Sequence, residues 1–85
     1  MKPDERALML ELARLPHIRH EFATDVGIAL GIHVNRVEYI LDKWAGKDWW
    51  DCGVSLRTGW LTEKGLAKAK ELVLHDKRVR RQRLP

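Results

Sequence analysis

Gly31 divides the middle of this 85-residue chain into two short stretches of helical periodicity. The stretch before it begins at Thr24, a good N-cap residue, and continues for about two turns. The stretch after it predicts a helix from about Val34 to Trp44. Its apolar stripe has the spacing i, i+3, i+4, i+7: Val37, Ile40, Leu41 and Trp44. Glycine readily adopts the left-handed conformation that ends many helices, so we expect Gly31 to separate two helices by a tight turn.

A further helix is predicted from Pro3 to Leu15, with acids in its first turn and Pro16 ending it. Its main stripe is Leu8, Leu12 and Leu15. Apolar residues also lie outside that stripe: Met9, Leu10 and Ala13. Two interpretations remain open, a core helix packed on more than one side, or a core helix that also forms a homodimer contact.

Residues 48–61 change character, because they are rich in aromatic and β-branched residues and contain glycines. They predict two short strands with a turn between Cys52 and Arg57. Thr62 then caps a last helix from Glu63 to about His75, whose predicted inner stripe is Leu66, Ala69 and Val73. The predicted fold class is therefore mainly α with a small antiparallel β-hairpin, in the order helix-helix-helix-hairpin-helix.

Four tryptophans need a place in this fold. Trp44 continues the stripe of the third helix, and Trp60 is also predicted to face inward. Trp49 and Trp50 are neighbours in a strand and must face opposite sides. One of the two is expected in the core, and the other is a candidate contact for a protein partner.

The net charge of +4 is unevenly distributed. Residues 77–85 hold five of the 16 basic residues and no acid, which leaves 11 basic and 12 acidic residues in 1–76. We therefore predict a domain over 1–76 and a basic C-terminal tail over 77–85, loose unless it extends the last helix.

Several classes of protein are not expected. Cys52 is the single cysteine and has no partner for an intrachain disulfide, which favours a cytoplasmic protein. The sequence has no membrane span and no signal peptide at its start. His17 and His20 are predicted to lie in a surface connector, not in a metal site. Without a catalytic constellation or a phosphate-binding loop, we expect neither an enzyme nor a cofactor.

The chain resembles the winged helix-turn-helix superfamily from Asp4 to about His75. Seven positions of 23–42 have residue types suited to its helix-turn-helix unit: Val26, Gly27, Leu30, Gly31, Ile32, Val37 and Ile40. Leu30 and Ile32 are expected to pack inward, and Gly27 stands where the family usually has alanine. The segment from Trp60 to Gly65, WLTEKG, resembles the exit from the wing into a capped helix.

The resemblance implies a small bacterial or phage transcriptional regulator that binds double-stranded DNA. Helix 34–44 would enter the major groove, hairpin 48–61 would form the wing, and the tail would contact phosphates. The expected DNA-binding residues are His33, Asn35, Arg36, Tyr39, Lys43, Arg57, Lys77, Arg78, Arg80, Arg81 and Arg83.

The charge of the outer face of helix 34–44 argues against DNA binding. Glu38 and Asp42 share the outer face of the third helix, and residues 24–62 hold four basic and five acidic residues. The alternative function is a protein-binding adaptor that uses the tryptophan-bearing hairpin or the outer face of that helix.

Overall fold

The structure is a computed structural model that describes residues 1–14, 23–52 and 59–83, with side chains described as far as His75. The described residues form four helices and two strands in the predicted order. They are α1 (Pro3–Arg14), α2 (Ala23–Ala29), α3 (Val34–Gly46), β1 (Trp50–Asp51), β2 (Trp60–Leu61) and α4 (Glu63–Arg83). The mainly helical fold with one small antiparallel sheet is confirmed, and it is compatible with a hairpin wing.

The turn between α2 and α3 follows from Gly31, whose φ of 84° is the predicted left-handed conformation. The Ile32 amide donates to the Gly27 carbonyl at 2.9 Å, which closes the turn over the end of α2. A Cβ built on Gly27 would lie 2.3 Å from Cγ2 of Val37, so the two helices approach too closely for a side chain there. Thr24 is not the N-cap, because α2 begins at Ala23 and Thr24 is buried within its first turn.

The core is one cluster to which all four helices and both strands contribute. Leu8 and Met9 of α1 are fully buried in it, and so is the predicted stripe of α3, which is confirmed: Val37, Ile40, Leu41 and Trp44. Ile32 is buried as expected, whereas Leu30 is exposed. The reason is that α2 ends at Ala29, so Leu30 belongs to the turn and Ile32 fills the space beneath it.

The register of the sheet decides which tryptophan faces solvent. Trp50 pairs with Leu61 and both are buried, while Asp51 pairs with Trp60 on the opposite face. Because side chains alternate along a strand, Trp60 is 41% exposed, and its predicted inward position is wrong. Trp49 precedes β1 and is half-buried. Most of the predicted turn, including Arg57, lies outside the described residues.

Thr62 caps α4 as predicted, since its Oγ1 accepts a hydrogen bond of 3.1 Å from the Gly65 amide. Position 65 requires glycine, because a Cβ there would lie 2.3 Å from the Trp49 carbonyl oxygen. Helix α4 does not end near His75 but continues to Arg83, so the backbone of residues 77–83 is helical.

The inward face of α4 differs from the prediction in one respect. Ala69 is buried, and Leu72 packs against the core. Leu66 and Val73, predicted on the inner stripe, are about as exposed as Trp60. The helix is rotated so that these two side chains border α1 at the surface instead of entering the core.

Candidate nucleic-acid interface

The outer face of α3 is open to solvent, as its buried stripe requires. Tyr39 is 61% exposed, and Asn35 and Asp42 are also exposed. Glu38, on the same face, is half-buried. This face therefore presents an amide, a phenol and carboxylates. The amide and the phenol can donate to base edges or backbone oxygens, whereas the carboxylates can only accept, for example from a cytosine amino group.

His33 lies at the start of this face and caps α3. Its backbone is extended, and its Nδ1 accepts a hydrogen bond of 3.1 Å from the Asn35 amide. Because Nδ1 is the acceptor, the proton of the neutral ring lies on Nε2. The imidazole thus satisfies one of the free amides of the helix N-terminus and keeps one ring N–H as a donor.

Arg36 is bound to the first turn of α1. Its Nε lies 2.8 Å from Oδ2 of Asp4 and its Nη2 lies 3.3 Å from Oδ1, a two-pronged ion pair at the edge of α3. The hydrogen bonds from Arg36 lower the pKa of the Asp4 carboxyl below its usual value of 3.8. Asp4 is therefore ionised at neutral pH, and the pair is lost only in acid below that value. The guanidinium also lies 5.4 Å from the centre of the Tyr39 ring.

Lys43 makes a similar contact about two helical turns further along α3. Its Nζ lies 3.1 Å from Oε1 of Glu5, a carboxylate that is almost completely buried. Both predicted cations of α3, Arg36 and Lys43, are thus paired with acids of α1. Spacing within α3 alone could not reveal this, although the acids at the start of α1 were visible in the sequence.

The remaining predicted site residues lie elsewhere. Arg57 falls outside the described residues. The five basic residues of the tail lie on the last turns of α4, where the structure describes the backbone only: Lys77, Arg78, Arg80, Arg81 and Arg83. The predicted cations of α3 are paired with acids, and these five basic residues lie on a helical extension of the domain.

A cluster that sequence reasoning missed lies beside the hairpin. The Nζ atoms of Lys47 and Lys68 lie 4.8 Å and 5.8 Å from the centre of the Trp49 ring. Lys64 lies about one helical turn before Lys68 on α4. Its Nζ is 3.7 Å from Oδ2 of Asp48, the residue before Trp49. Cations over an aromatic face stabilise the ring position. They also explain why Trp49 is not the freely exposed ring that was expected of the Trp49 and Trp50 pair.

Metal and membrane sites find no support in the part of the chain that is described. Its His, Cys, Asp and Glu side chains form no group of three that could hold a metal ion. Among the helices described, none combines the length and the apolar character that spanning a membrane requires. Comparison with family models, curated proteins and solved structures found no significant match. Membership of the winged helix-turn-helix superfamily therefore stays a prediction.

Proposed function

We propose that this protein binds duplex DNA as a small transcriptional regulator, with α3 in the major groove. The observation that carries the proposal is the open outer face of α3, held by a tight crossing with α2. A helix used for reading bases needs one face fixed in the core and the other free, with its first turns able to approach the groove.

The polar residues of that face have defined roles in this proposal. Asn35 makes the amide contact to an adenine, and Tyr39 contacts a phosphate or a thymine methyl. His33 donates its remaining ring N–H to the DNA backbone at the start of α3. Each of these contacts uses a group that the structure places at the surface of α3.

In the DNA complex, Arg36 leaves Asp4 and binds a guanine edge or a phosphate instead. Its ion pair with Asp4 is partly solvent-exposed, with about a third of each side chain accessible. Such pairs contribute about 0–1 kcal/mol, so a guanine edge or a phosphate competes for the guanidinium at small cost. In this proposal Asp4 acts as a competitor that limits DNA affinity.

The first test uses Asp4→Asn, which removes the competing carboxylate and should strengthen duplex binding about 2- to 5-fold. Arg36→Gln should weaken binding to a preferred sequence and reduce the preference itself. Affinities are measured by fluorescence anisotropy at moderate salt, on duplexes chosen by selection from a random library.

The matched control is Glu11→Gln, which makes the same change of charge and breaks the surface pair of Glu11 with Arg14. Because that pair lies on α1 away from α3, this variant should change affinity less than Asp4→Asn does. Equal effects of the two variants would show that only net charge matters. No duplex binding by the full-length protein at low salt would refute the proposal.

The alternative function, a protein-binding adaptor, is favoured by one observation. Trp60 is 41% exposed beside Asp51 on the outer face of the hairpin, and exposed tryptophans are frequent anchors of interfaces. In this alternative the anchor is Trp60 and not Trp49, because Trp49 is half-buried beside the ammonium groups of Lys47 and Lys68. Trp50, the other member of the predicted pair, is in the core.

An adaptor should lose its partner when Trp60 is changed to serine. We expect affinity purification to recover one protein with the wild-type chain, and at least about 10-fold less of it with Trp60→Ser, since a central tryptophan contributes about 2 kcal/mol or more. Tyr39→Phe, on α3, serves as the control and should leave recovery unchanged. Unchanged recovery with Trp60→Ser would exclude the hairpin as the binding surface.

A further inference from the structure

A groove between α1 and α4 exposes apolar side chains that neither the core nor the proposed DNA surface uses. Its volume is about 530 Å³. Its apolar lining is Leu10, Leu66, Val73 and Leu74, together with Ala13 and Ala69, which also pack in the core. Leu74 is 57% exposed. A concave surface lined by apolar side chains is the usual form of a binding site.

The shape of the groove suits a helix. Its two walls are themselves helices in direct contact, joined near the groove by a hydrogen bond of 3.4 Å from Nη2 of Arg6 to the Leu72 carbonyl. A third helix with apolar residues at i, i+3, i+4 and i+7 places one stripe between two such walls. A helix in the groove would cover the exposed side chains of Leu66, Val73 and Leu74.

The charge around the groove selects among possible occupants. Its described lining includes two cations, Arg14 and Lys70, and no carboxylate. Arg14 also pairs with Glu11 of its own helix. The five basic residues of 77–83 come after the groove residues along α4. An occupant with acidic residues along its edges complements this rim.

A second copy of the chain fits the same rim less well. In a two-fold symmetric pair the same patch meets itself, so residues near the axis face their own copies. Lys70 lines the groove, so a two-fold axis through the groove brings one Lys70 towards the other. Like charges opposed in this way are unfavourable.

We propose that the groove between α1 and α4 binds an amphipathic helix of a partner protein, with an apolar inward stripe and Asp or Glu along its edges. The site is separate from the outer face of α3, so it does not depend on DNA binding. The partner helix buries the exposed leucines and pairs its acids with Arg14 and Lys70.

The experiment uses the full-length protein and two labelled peptides of about 18 residues, which is five helical turns. Both carry a leucine stripe at helical spacing, and the edge residues are glutamate in one and lysine in the other. We expect the glutamate peptide to bind at least about 10-fold more tightly in fluorescence anisotropy. Lys70→Glu should weaken binding of the glutamate peptide and strengthen binding of the lysine peptide.

Two further variants locate the binding site. Leu74→Asp, in the groove, should abolish binding of the glutamate peptide. Ile28→Asp is the matched control, because Ile28 is 54% exposed on α2 and outside the groove. Circular dichroism checks that both variants keep the helical content of the wild type.

Three outcomes would overturn the proposal. The first is that neither peptide binds, and the second is that both bind equally. The third is that sedimentation shows a dimer that Leu74→Asp dissociates, which would make a second copy the occupant. DNA affinity is measured on the same variants, so failure of the groove and failure of the DNA proposal are distinguished.

Discussion

Replacement of Gly27 by alanine is expected to lower the free energy of unfolding by about 1–3 kcal/mol, although alanine is the better helix former. The added methyl would lie 2.3 Å from Cγ2 of Val37, which is fully buried in the core. A β-branched side chain in a helix has essentially one rotamer, so Val37 cannot turn away. The two helices must separate, and the overpacking cost exceeds the gain of about 0.5–1 kcal/mol from removing a helical glycine.

Urea unfolding followed by tryptophan fluorescence measures this change. Gly46→Ala is the matched control, because nothing lies within 4 Å of a Cβ at that position of α3. The control should leave stability equal or raise it, by less than about 1 kcal/mol. Combining Gly27→Ala with Val37→Ala should cost less than the sum of the two single changes. A Gly27→Ala variant as stable as wild type would contradict the close crossing.

Removal of residues 77–85 is expected to weaken duplex binding by about 100-fold or more at low salt, because α3 has no unpaired cation among its predicted DNA-binding residues. If all five basic residues contact phosphates, the slope of log affinity against log salt should become shallower by about 4–5. Anisotropy titrations from low to moderate salt on full-length and truncated chains give both quantities.

A second variant separates charge from length. It keeps residues 77–85 and replaces the five basic residues with glutamine, which preserves the chain but removes the cations. We expect it to behave as the truncated chain does, and both should unfold at the temperature of the wild type, since the domain core is formed by residues before 77. Retention of the full salt slope by either variant would exclude the tail as the source of phosphate contacts.

The sequence predicts those parts of the fold that depend on residues close together along the chain. The stripe of α3, the left-handed Gly31 and the cap at Thr62 each depend on residues within a few positions of one another. The inward face of α4 was not accessible in the same way. Leu66 and Val73 have helical spacing with Ala69, but the position of α1 decides which of them is covered.

The location of the candidate site was predictable from the sequence, but the ion pairs that its cations form were not. The solvent face of α3 follows from its buried face, so Asn35 and Tyr39 could be identified. The pairing of Arg36 with Asp4 joins residues 32 positions apart, and no local pattern reports such a contact. Trp60 shows the same limit, since the strand register and not its own sequence context placed it outside.

The continuity of α4 has a mechanical consequence. One uninterrupted helix begins at the cap on Thr62, forms a wall of the apolar groove and ends in the basic residues. Its 21 residues span about 30 Å, so a tilt of about 10° at the capped end displaces the far end by about 5 Å. The helix therefore has the geometry of a lever arm: a small tilt at its capped end would displace five positive charges at its far end.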